Sequence, residues 1–172
     1  MSLRVGFLTL VISLFSHAAS AETQWRIGAN LASIHINPER EFNEFNPGMF
    51  LSATFRSGQR FEYGVQAGAY MNSYSARTIY TSTYANWRIA QFGNVDVRLG
   101  GFVGLFEYPV LAERARGIGW PTVGDYILAL GPTMKIELQS GVDFTVGFLP
   151  VKTKETAGVF TFQMSVPFGG RR

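Results

Sequence analysis

The sequence predicts an all-β fold, an eight-stranded antiparallel transmembrane β-barrel arranged as an up-and-down meander. Eight segments of alternating hydrophobicity lie between Trp25 and Phe168, and their lengths suit strands that cross a bilayer at a tilt. The connections include tight turns and longer loops, in the order that is typical of outer-membrane barrels. The polar face of these strands carries charges of both signs, which the core of a soluble barrel tolerates poorly.

The N-terminal residues have the pattern of a secretory signal peptide. Arg4 supplies a short positive segment, and residues 5–15 form an apolar run that is too short to span a bilayer comfortably. Residues 19–21 have the small side chains that a signal peptidase recognises. An N-terminal anchor helix is the alternative. The predicted organisation is a signal peptide over residues 1–21, the barrel over residues 22–168 and a short C-terminal extension over residues 169–172.

The composition excludes several classes of site. The 172 residues are enough for one domain, and the absence of cysteine excludes disulfides and thiolate metal sites. The net charge of +3 is small and the cations are scattered, so we expect no nucleic-acid partner. The sequence contains neither a glycine-rich phosphate loop nor a cluster of metal ligands, and we expect no cofactor and no metal.

The first four predicted strands are separated by polar or glycine-containing connections. The third alternates most clearly, because its odd positions are apolar and its even positions are polar or small. Gly58 lies in the turn before it, where we expect a positive φ. The four strands are predicted over Trp25 to His35, Gly48 to Phe55, Phe61 to Met71 and Arg77 to Arg88.

The second half of the chain contains four more predicted strands and the longest connection, which we expect to be a loop. We expect Gly131 and Pro132 to disturb the sixth strand. The last strand has an apolar residue at every second position and a terminal aromatic, similar to the assembly signal of outer-membrane proteins. The four strands are predicted over Val95 to Phe106, Asp125 to Leu138, Val142 to Leu149 and Gly158 to Phe168, and the loop over Glu107 to Gly124.

Charged residues share the polar face of the strands. Because buried charges need partners, we expect them to form an ion-pair network that fills a narrow lumen. The structural alternative is a soluble, lipocalin-like barrel, which would have to accept these charges in its core. The charged residues of this face are Arg26, Glu62, Asp96, Arg98, Lys135, Glu137 and Asp143.

Three residues at one rim of the predicted barrel are candidates for catalysis. His35 is the only histidine after the signal peptide and ends the first strand, on the side of the longer loops. Asn72 and Ser73 end the third strand, which runs in the same direction and reaches the same rim. A histidine can act as a general base toward a serine hydroxyl. The alternative is that these are ordinary polar rim residues.

Small and aromatic residues on the polar face suggest a pocket for an acyl chain. Gly68 leaves space, and Tyr70, Phe102 and Phe106 supply apolar wall. Packing of a tapered barrel is the alternative. Other aromatic residues are candidates for the belts that lie at the two membrane surfaces. These candidates are Trp25, Tyr63, Trp87, Tyr108 and Trp120.

Three short motifs resemble the lipid A palmitoyltransferase (PagP) family. They are NEFNPG at 43–48, AYMNSYS at 69–75 and RLGGFVG at 98–104. The resemblance implies an outer-membrane barrel that transfers a palmitoyl chain from phospholipid to lipid A. It implies that His35 is the catalytic histidine and Ser73 the catalytic serine. Asn72 stands where the family has an aspartate.

The resemblance also implies a route and partners for lipid. Prolines cannot donate to a β-ladder, and in this family they open gaps that admit lipid sideways. Pro47, Pro132 and Pro150 stand at corresponding places. We therefore expect an exported monomer in the cell outer membrane, with phospholipid and lipid A as partners.

Two classes of function remain open. The first is an acyltransferase that acts at the outer-leaflet rim. The second is a non-enzymatic barrel with a structural, lipid-binding or partner-binding role. His35, Ser73 and the prolines favour the first. The asparagine at position 72 favours the second, because it cannot carry the negative charge that would stabilise a protonated histidine.

Overall fold

The computed structural model describes residues 22–117, 119–150 and 156–168. The predicted signal peptide and C-terminal extension lie outside these residues. The described part is built almost entirely of strands. The elements are β1 (Glu22–Ile36), β2 (Phe45–Ser57), β3 (Phe61–Met71), β4 (Arg77–Phe92), β5 (Val95–Glu107), α1 (Pro109–Gly117), β6 (Thr122–Val123), β7 (Tyr126–Leu138), β8 (Asp143–Leu149) and β9 (Gly158–Pro167).

All strands except the two-residue β6 form one closed antiparallel barrel. Sequential neighbours pair along the chain, and the pairing of β1 with β9 closes the ring, while β5 pairs with β7 across the long connection. The predicted eight-stranded meander is therefore confirmed. The predicted third strand matches β3 at both ends. β4 continues past Arg88 to Phe92, because a bulge between Arg88 and Ala90 lets its ladder with β5 continue.

The barrel wall is apolar outside and polar inside. Val65 of β3 is 47% exposed, whereas Glu62 on the inner face of the same strand is 0% exposed. A soluble barrel has the opposite arrangement, so this is the inside-out barrel that suits a lipid bilayer. Large apolar residues exposed on the wall include Trp25, Met49, Leu51, Val65, Trp87, Leu99, Val103, Leu130, Met134, Phe144 and Val166.

The two ends of the barrel differ in their connections. Tight turns follow β2, β4 and β7 at what we name the turn end, and longer connections follow β1, β3, β5 and β8 at the loop end. Gly58, Gly93 and Gly141 in the tight turns have φ angles of 65°, 56° and 87°. These values lie in the left-handed region that favours glycine, which confirms the expectation for Gly58.

Buried ion pairs fill the lumen at the turn end, as predicted. Arg26 lies 2.8 Å from Asp143, and Lys135 lies 2.5 Å from Glu62. Arg98 bridges three carboxylates, and Arg56 pairs with Glu137. These contacts close the lumen at this end. We name as the ion cluster the cations Arg26, Arg56, Arg88, Arg98 and Lys135 and the anions Glu62, Asp96, Glu137 and Asp143.

The connection between β5 and β7 contains structure that the sequence did not predict. The expected loop includes α1, which begins at Pro109, a residue that suits the first position of a helix. Ala112 and Ala115 are buried, so one face of α1 packs against the barrel. β6 pairs with the loop-end half of β7. No helix within the described residues is long and apolar enough to cross a membrane.

A β-bulge in β1 sets the direction of His35. The register of β1 shifts between Asn30 and Ala32 against both β2 and β9. Strict alternation from Asn30 would turn His35 outward. After the bulge, His35 is instead 8% exposed and the adjacent Ile34 is 48% exposed. The bulge therefore points His35 into the lumen at the loop end.

Candidate functional site

A cavity of about 890 Å³ occupies the lumen between the ion cluster and the loop end. Lys135 and Asp143 line it at the lower end, and His35 and Ser73 line it near the loops. Its volume falls in the range of small-molecule sites, roughly 300–1,000 Å³. Several of the predicted candidate residues line this one cavity.

An aromatic wall forms one side of this cavity, on the adjacent strands β3, β4 and β5. Tyr80 and Phe106 stack with their ring centroids 5.2 Å apart, and Tyr70 meets Tyr80 edge-on at 5.7 Å. Phe102 lies 6.3 Å from Phe106 in a T-shaped arrangement. We name Tyr70, Tyr80, Phe102 and Phe106 the aromatic wall. Three of its members, Tyr70, Phe102 and Phe106, are predicted substrate-binding residues, and the structure brings them together around one space.

The helix α1 lies over the loop end of the cavity. Leu111 and Ala115 of α1 contribute to the lining. Tyr108, just before α1, also lines the cavity, and its hydroxyl lies 2.8 Å from that of Tyr70. Burial raises the pKa of Tyr108, so its hydroxyl is uncharged at neutral pH. The assignment of Tyr108 to a membrane-surface belt was wrong, because its side chain points inward.

A ring of polar side chains separates the ion cluster from the aromatic wall. We name Asn30, Ser82, Gln163 and the hydroxyl of Tyr80 the polar ring. Gln163 Nε2 donates to Asn30 Oδ1 at 2.7 Å, and the Tyr80 hydroxyl donates to the same oxygen at 3.4 Å. Asn30 Nδ2 and Ser82 Oγ are buried without a hydrogen-bond partner. All four residues line the cavity.

His35 is held by stacking at the edge of the cavity. Its ring lies parallel to that of Phe42, with 3.9 Å between the centroids. Phe42 in turn meets Tyr74 edge-on, and the Arg40 guanidinium lies over both of these rings. His35 Nδ1 is buried and has no hydrogen-bond partner. No carboxylate among the described residues orients the imidazole by a hydrogen bond, as a catalytic triad requires.

Ser73 lies on the same side of the cavity as His35 but bonds to a different residue. Its Oγ lies 3.3 Å from Ser33 Oγ, and its carbonyl accepts a hydrogen bond from the Asn43 backbone N–H. Both serine hydroxyls line the cavity. The structure thus places His35 and Ser73 around one space. Their predicted pairing as base and nucleophile stays a prediction.

Asn72 belongs to the scaffold of its turn. Its Oδ1 accepts hydrogen bonds from the backbone N–H groups of Tyr74 and Ala76, at 2.9 and 3.1 Å. Its Nδ2 donates to Thr78 Oγ1 at 3.0 Å, and Thr78 donates onward to the carbonyl of Glu107. The side chain is 3% exposed, and none of these hydrogen bonds involves His35. Its expected catalytic role also stays a prediction.

The hydrogen-bonded ladder between β7 and β8 is interrupted in the loop-end half of the barrel. The ladder between these strands ends at Thr133 and Gly147, although β7 stays paired with β5 as far as Tyr126. Pro132 stands just above the last pair and has no N–H to extend the ladder. Leu130 is 57% exposed on the outer face and still lines the lumenal cavity. β8 still lies against β7 beside Pro132, because a Cβ on Gly131 would overlap the Phe148 carbonyl. The interruption is therefore one of the hydrogen-bonded ladder, next to a residue that both faces outward and lines the cavity.

The remaining predicted site residues have separate positions. Pro150 follows β8, lines the cavity and flanks the interruption. Pro47 is exposed in β2, just beyond the last pair of the β2–β3 ladder at Gly48. Gly68 does not line the cavity. A Cβ at Gly68 would lie 2.5 Å from the Met49 carbonyl oxygen, so this glycine allows two strands and the Phe50 side chain to pack closely.

Several functional candidates escaped the sequence analysis. Asn30, Ser82 and Gln163 follow the inward alternation of their strands, so the pattern could have identified them. The uncharged polar residues of that face were not among the predicted site residues. Ser33 could not be found in this way, because the bulge reverses the alternation before it. Leu111 and Ala115 lie on a helix that has only weak amphipathic periodicity.

Comparisons with known proteins return small barrels. No protein-family model matches the chain, and no curated protein matches its sequence. A crystal structure of Neisserial surface protein A (NspA) is similar over 87% of this chain and 99% of that chain, at 14% identity and a TM-score of 0.47. The backbone structure of the outer membrane protein Ail of Yersinia pestis, in a phospholipid bilayer nanodisc, is similar over 86% and 100%, at 10% identity and a TM-score of 0.42. The fold assignment rests on the strand pairings of the chain itself.

Proposed function

We propose that this chain is an outer-membrane β-barrel that binds an amphiphile with one acyl chain in its lumen. The observation that carries the proposal is the cavity of about 890 Å³, with an aromatic wall above a charged and closed lower end. Apolar ligands gain affinity from aromatic and aliphatic lining, and a few polar groups fix their orientation. The closed end makes the lumen a binding pocket rather than a channel.

The outer surface supports a position in a membrane. Trp25 and Trp87 are 53% and 52% exposed on the wall, where apolar side chains meet lipid. The barrel closes on itself and leaves no long free strand edge, so a single copy is complete. We propose a monomer surrounded by membrane lipids, which are also the nearest source of acyl chains.

The interruption between β7 and β8 supports a lateral route for the ligand. α1 lies over the loop end and the ion cluster closes the turn end. We propose that β7 and β8 part at the broken ladder near Pro132 and Pro150 to let a lipid tail pass between the cavity and the outer face of the wall. Leu130 is exposed on the outer face and also lines the cavity, which supports this place as the route. An acyl chain can pass here without leaving an apolar environment, which avoids the cost of exposing it to water.

A pair of Ala→Phe variants tests lumenal binding. Ala129 of β7 lines the cavity, so Ala129→Phe fills it, whereas Ala85 of β4 is exposed on the outer face and Ala85→Phe leaves it empty. The barrel is reconstituted in nanodiscs with tetradecanoic acid and released for native mass spectrometry. We expect a bound-ligand mass on the unmodified chain and on Ala85→Phe, and its loss on Ala129→Phe. Equal adducts on all three folded proteins would contradict the proposal.

Acyl transfer is the second candidate function, because His35 and Ser73 line the same end of the cavity. In this reaction His35 takes the proton of Ser73, whose Oγ forms an ester with the acyl carbonyl of a phospholipid. The lysophospholipid leaves with that proton. A lipid A hydroxyl then takes the acyl group and returns its proton to Ser73.

Mass spectrometry of lipid A from outer membranes with and without the protein tests this second candidate. The variants are Ser73→Ala and His35→Phe, since phenylalanine keeps the stacking on Phe42 and removes only the base. An added acyl mass that disappears in both variants supports transfer. An unchanged lipid A spectrum with a correctly inserted barrel rejects transfer to lipid A and leaves binding as the function.

A further inference from the structure

We infer that the polar ring binds an anionic or carbonyl oxygen at the end of the lumenal ligand, so that its polar end lies deep in the barrel and its apolar chain points toward the loops. This inference rests on the proposed function and specifies the class of ligand. The ligand is a single-chain amphiphile with a terminal oxygen acceptor, such as a fatty acid. A bilayer phospholipid is too large and carries its polar group at the membrane surface.

Two polar atoms without partners support this orientation. Asn30 Nδ2 and Ser82 Oγ are buried in residues that are 9% and 4% exposed, and both residues line the cavity. A buried donor left without an acceptor is energetically unfavourable. The asymmetry within Asn30 is informative, because its Oδ1 already accepts from Gln163 and Tyr80 while its amide hydrogens remain free. The protein groups that lack a partner here are therefore mainly hydrogen-bond donors, and a ligand oxygen that accepts a hydrogen bond suits them.

The charge of the lumen favours an anion. The ion cluster contains five cations and four anions among the described residues, so it carries one net positive charge. Arg26, Lys135 and Asp143 line the lower end of the cavity, and these three groups together carry one net positive charge. In a lumen with low dielectric constant, this excess attracts a carboxylate more strongly than it would in water. An ammonium group at the same depth would meet repulsion.

The opposite orientation of the ligand is unfavourable. A chain that entered with its methyl end first would place hydrocarbon against Asn30, Ser82 and the ion cluster. The unpaired polar groups of Asn30 and Ser82 would then lose contact with water and gain no hydrogen-bond partner. With the polar end first, the hydrocarbon instead lies along the aromatic wall, where Phe106 and Tyr80 stack and Phe102 faces them.

A charge reversal at Asn30 tests the inference. Asn30→Asp keeps an oxygen that accepts from Gln163 and Tyr80, and it replaces the free amide donor with a second carboxylate oxygen. Calorimetric titration of the barrel in nanodiscs uses tetradecanoate and tetradecylamine as probes, with empty nanodiscs as the blank. We expect Asn30→Asp to lower the affinity for tetradecanoate by at least about tenfold and to raise the affinity for tetradecylamine.

Two serine variants complete the test. Ser82→Ala removes a hydroxyl that has no protein partner, and we expect weaker tetradecanoate binding with an unchanged fold. Ser57→Ala makes the same substitution at an exposed position at the end of β2, outside the cavity lining, and we expect unchanged binding. If both probes bind but neither Asn30→Asp nor Ser82→Ala alters them, the inference is wrong and lumenal binding stands. If the unmodified barrel binds neither probe, the proposed function itself is wrong, and the inference about orientation is rejected with it.

Discussion

Asn72 uses its hydrogen bonds to hold a turn, although the family resemblance predicts a catalytic residue at this position. Its carbonyl oxygen accepts two backbone N–H groups, and its amide donates to Thr78. The Thr78 hydroxyl has one hydrogen, which it gives to the carbonyl of Glu107. Thr78 must therefore accept from position 72, and the side chain there must be a hydrogen-bond donor.

The substitution Asn72→Asp should consequently destabilise the barrel rather than activate it. Aspartate keeps the two accepted bonds and loses the donated one, which leaves Thr78 Oγ1 facing a buried carboxylate. We expect a loss of about 1–3 kcal/mol in the free energy of unfolding. Urea titration of the barrel in detergent measures this change. Asn43→Asp is the matched control, because Asn43 is exposed and its oxygen accepts from the Phe45 N–H. Added acyl transfer with unchanged stability would contradict this account.

The sequence predicted the neighbourhood of the site residues better than their contacts. His35 and Ser73 were expected at one rim because alternate strands run in the same direction, and the structure places both around the cavity. The stacking of His35 on Phe42 and the bond between Ser73 and Ser33 were not predicted. Such contacts depend on loop geometry and on one bulge, neither of which leaves a periodic signal in the sequence.

At the scale of elements, β7 is the strand that departs most from a regular barrel. One edge pairs with β5 along its whole length, and the other pairs with β8 only up to Thr133. Above this point the edge is covered by β6, and the Trp120 indole N–H donates to the carbonyl of Leu128 at 2.8 Å. A segment of the long connection therefore covers part of the interruption that the ligand would use.

Cross-linking across the interruption should slow ligand uptake. The chain has no cysteine, so Leu130→Cys with Pro150→Cys introduces one defined thiol pair for a short bis-maleimide. We expect slower loading of tetradecanoic acid after cross-linking, measured by mass spectrometry over time. The control joins Leu130→Cys to Val103→Cys, which are partners in the intact β5–β7 ladder. Equal loading by both cross-linked forms would exclude the lateral route.

Strand positions were predictable from sequence because alternation is strong in this chain, and β3 was predicted with both boundaries correct. Gly131 and Pro132 were expected to disturb the sixth strand, and the ladder between β7 and β8 does end beside them. The helix α1 was missed because its short, arginine-rich stretch has little apolar periodicity. Its helical state depends instead on packing Ala112 and Ala115 against the barrel.

At the scale of the whole molecule, the lumen is divided into a closed charged half and an open apolar half. Glu62 lies at the centre of the charged half. It pairs with Lys135 at 2.5 Å, approaches Arg98 at 3.7 Å and Arg56 at 3.8 Å, and accepts from Asn86 at 3.2 Å. Its side chain is completely buried, so water cannot compensate for its loss.

Glu62→Gln should therefore weaken the whole barrel. Glutamine carries no negative charge to balance the buried cations Lys135 and Arg98. We therefore expect the free energy of unfolding to fall by about 3–5 kcal/mol. Unfolding by urea in detergent measures the change. Glu41→Gln, at an exposed loop position, provides the control and should have almost no effect. An equally small effect at Glu62 would show that the ion cluster does not hold the turn end closed.

The most direct test of lumenal binding is a crystal structure of the barrel soaked with ω-bromotetradecanoic acid, in which anomalous scattering locates the bromine. We expect one bromine site inside the barrel, on the loop side of Tyr80 and Phe106, with the carboxylate at Asn30. A bromine beside Lys135 would reverse the orientation of the ligand while keeping it in the lumen. A well-ordered crystal, soaked to saturation, with no bromine inside the barrel would contradict the proposal that the lumen binds an acyl chain.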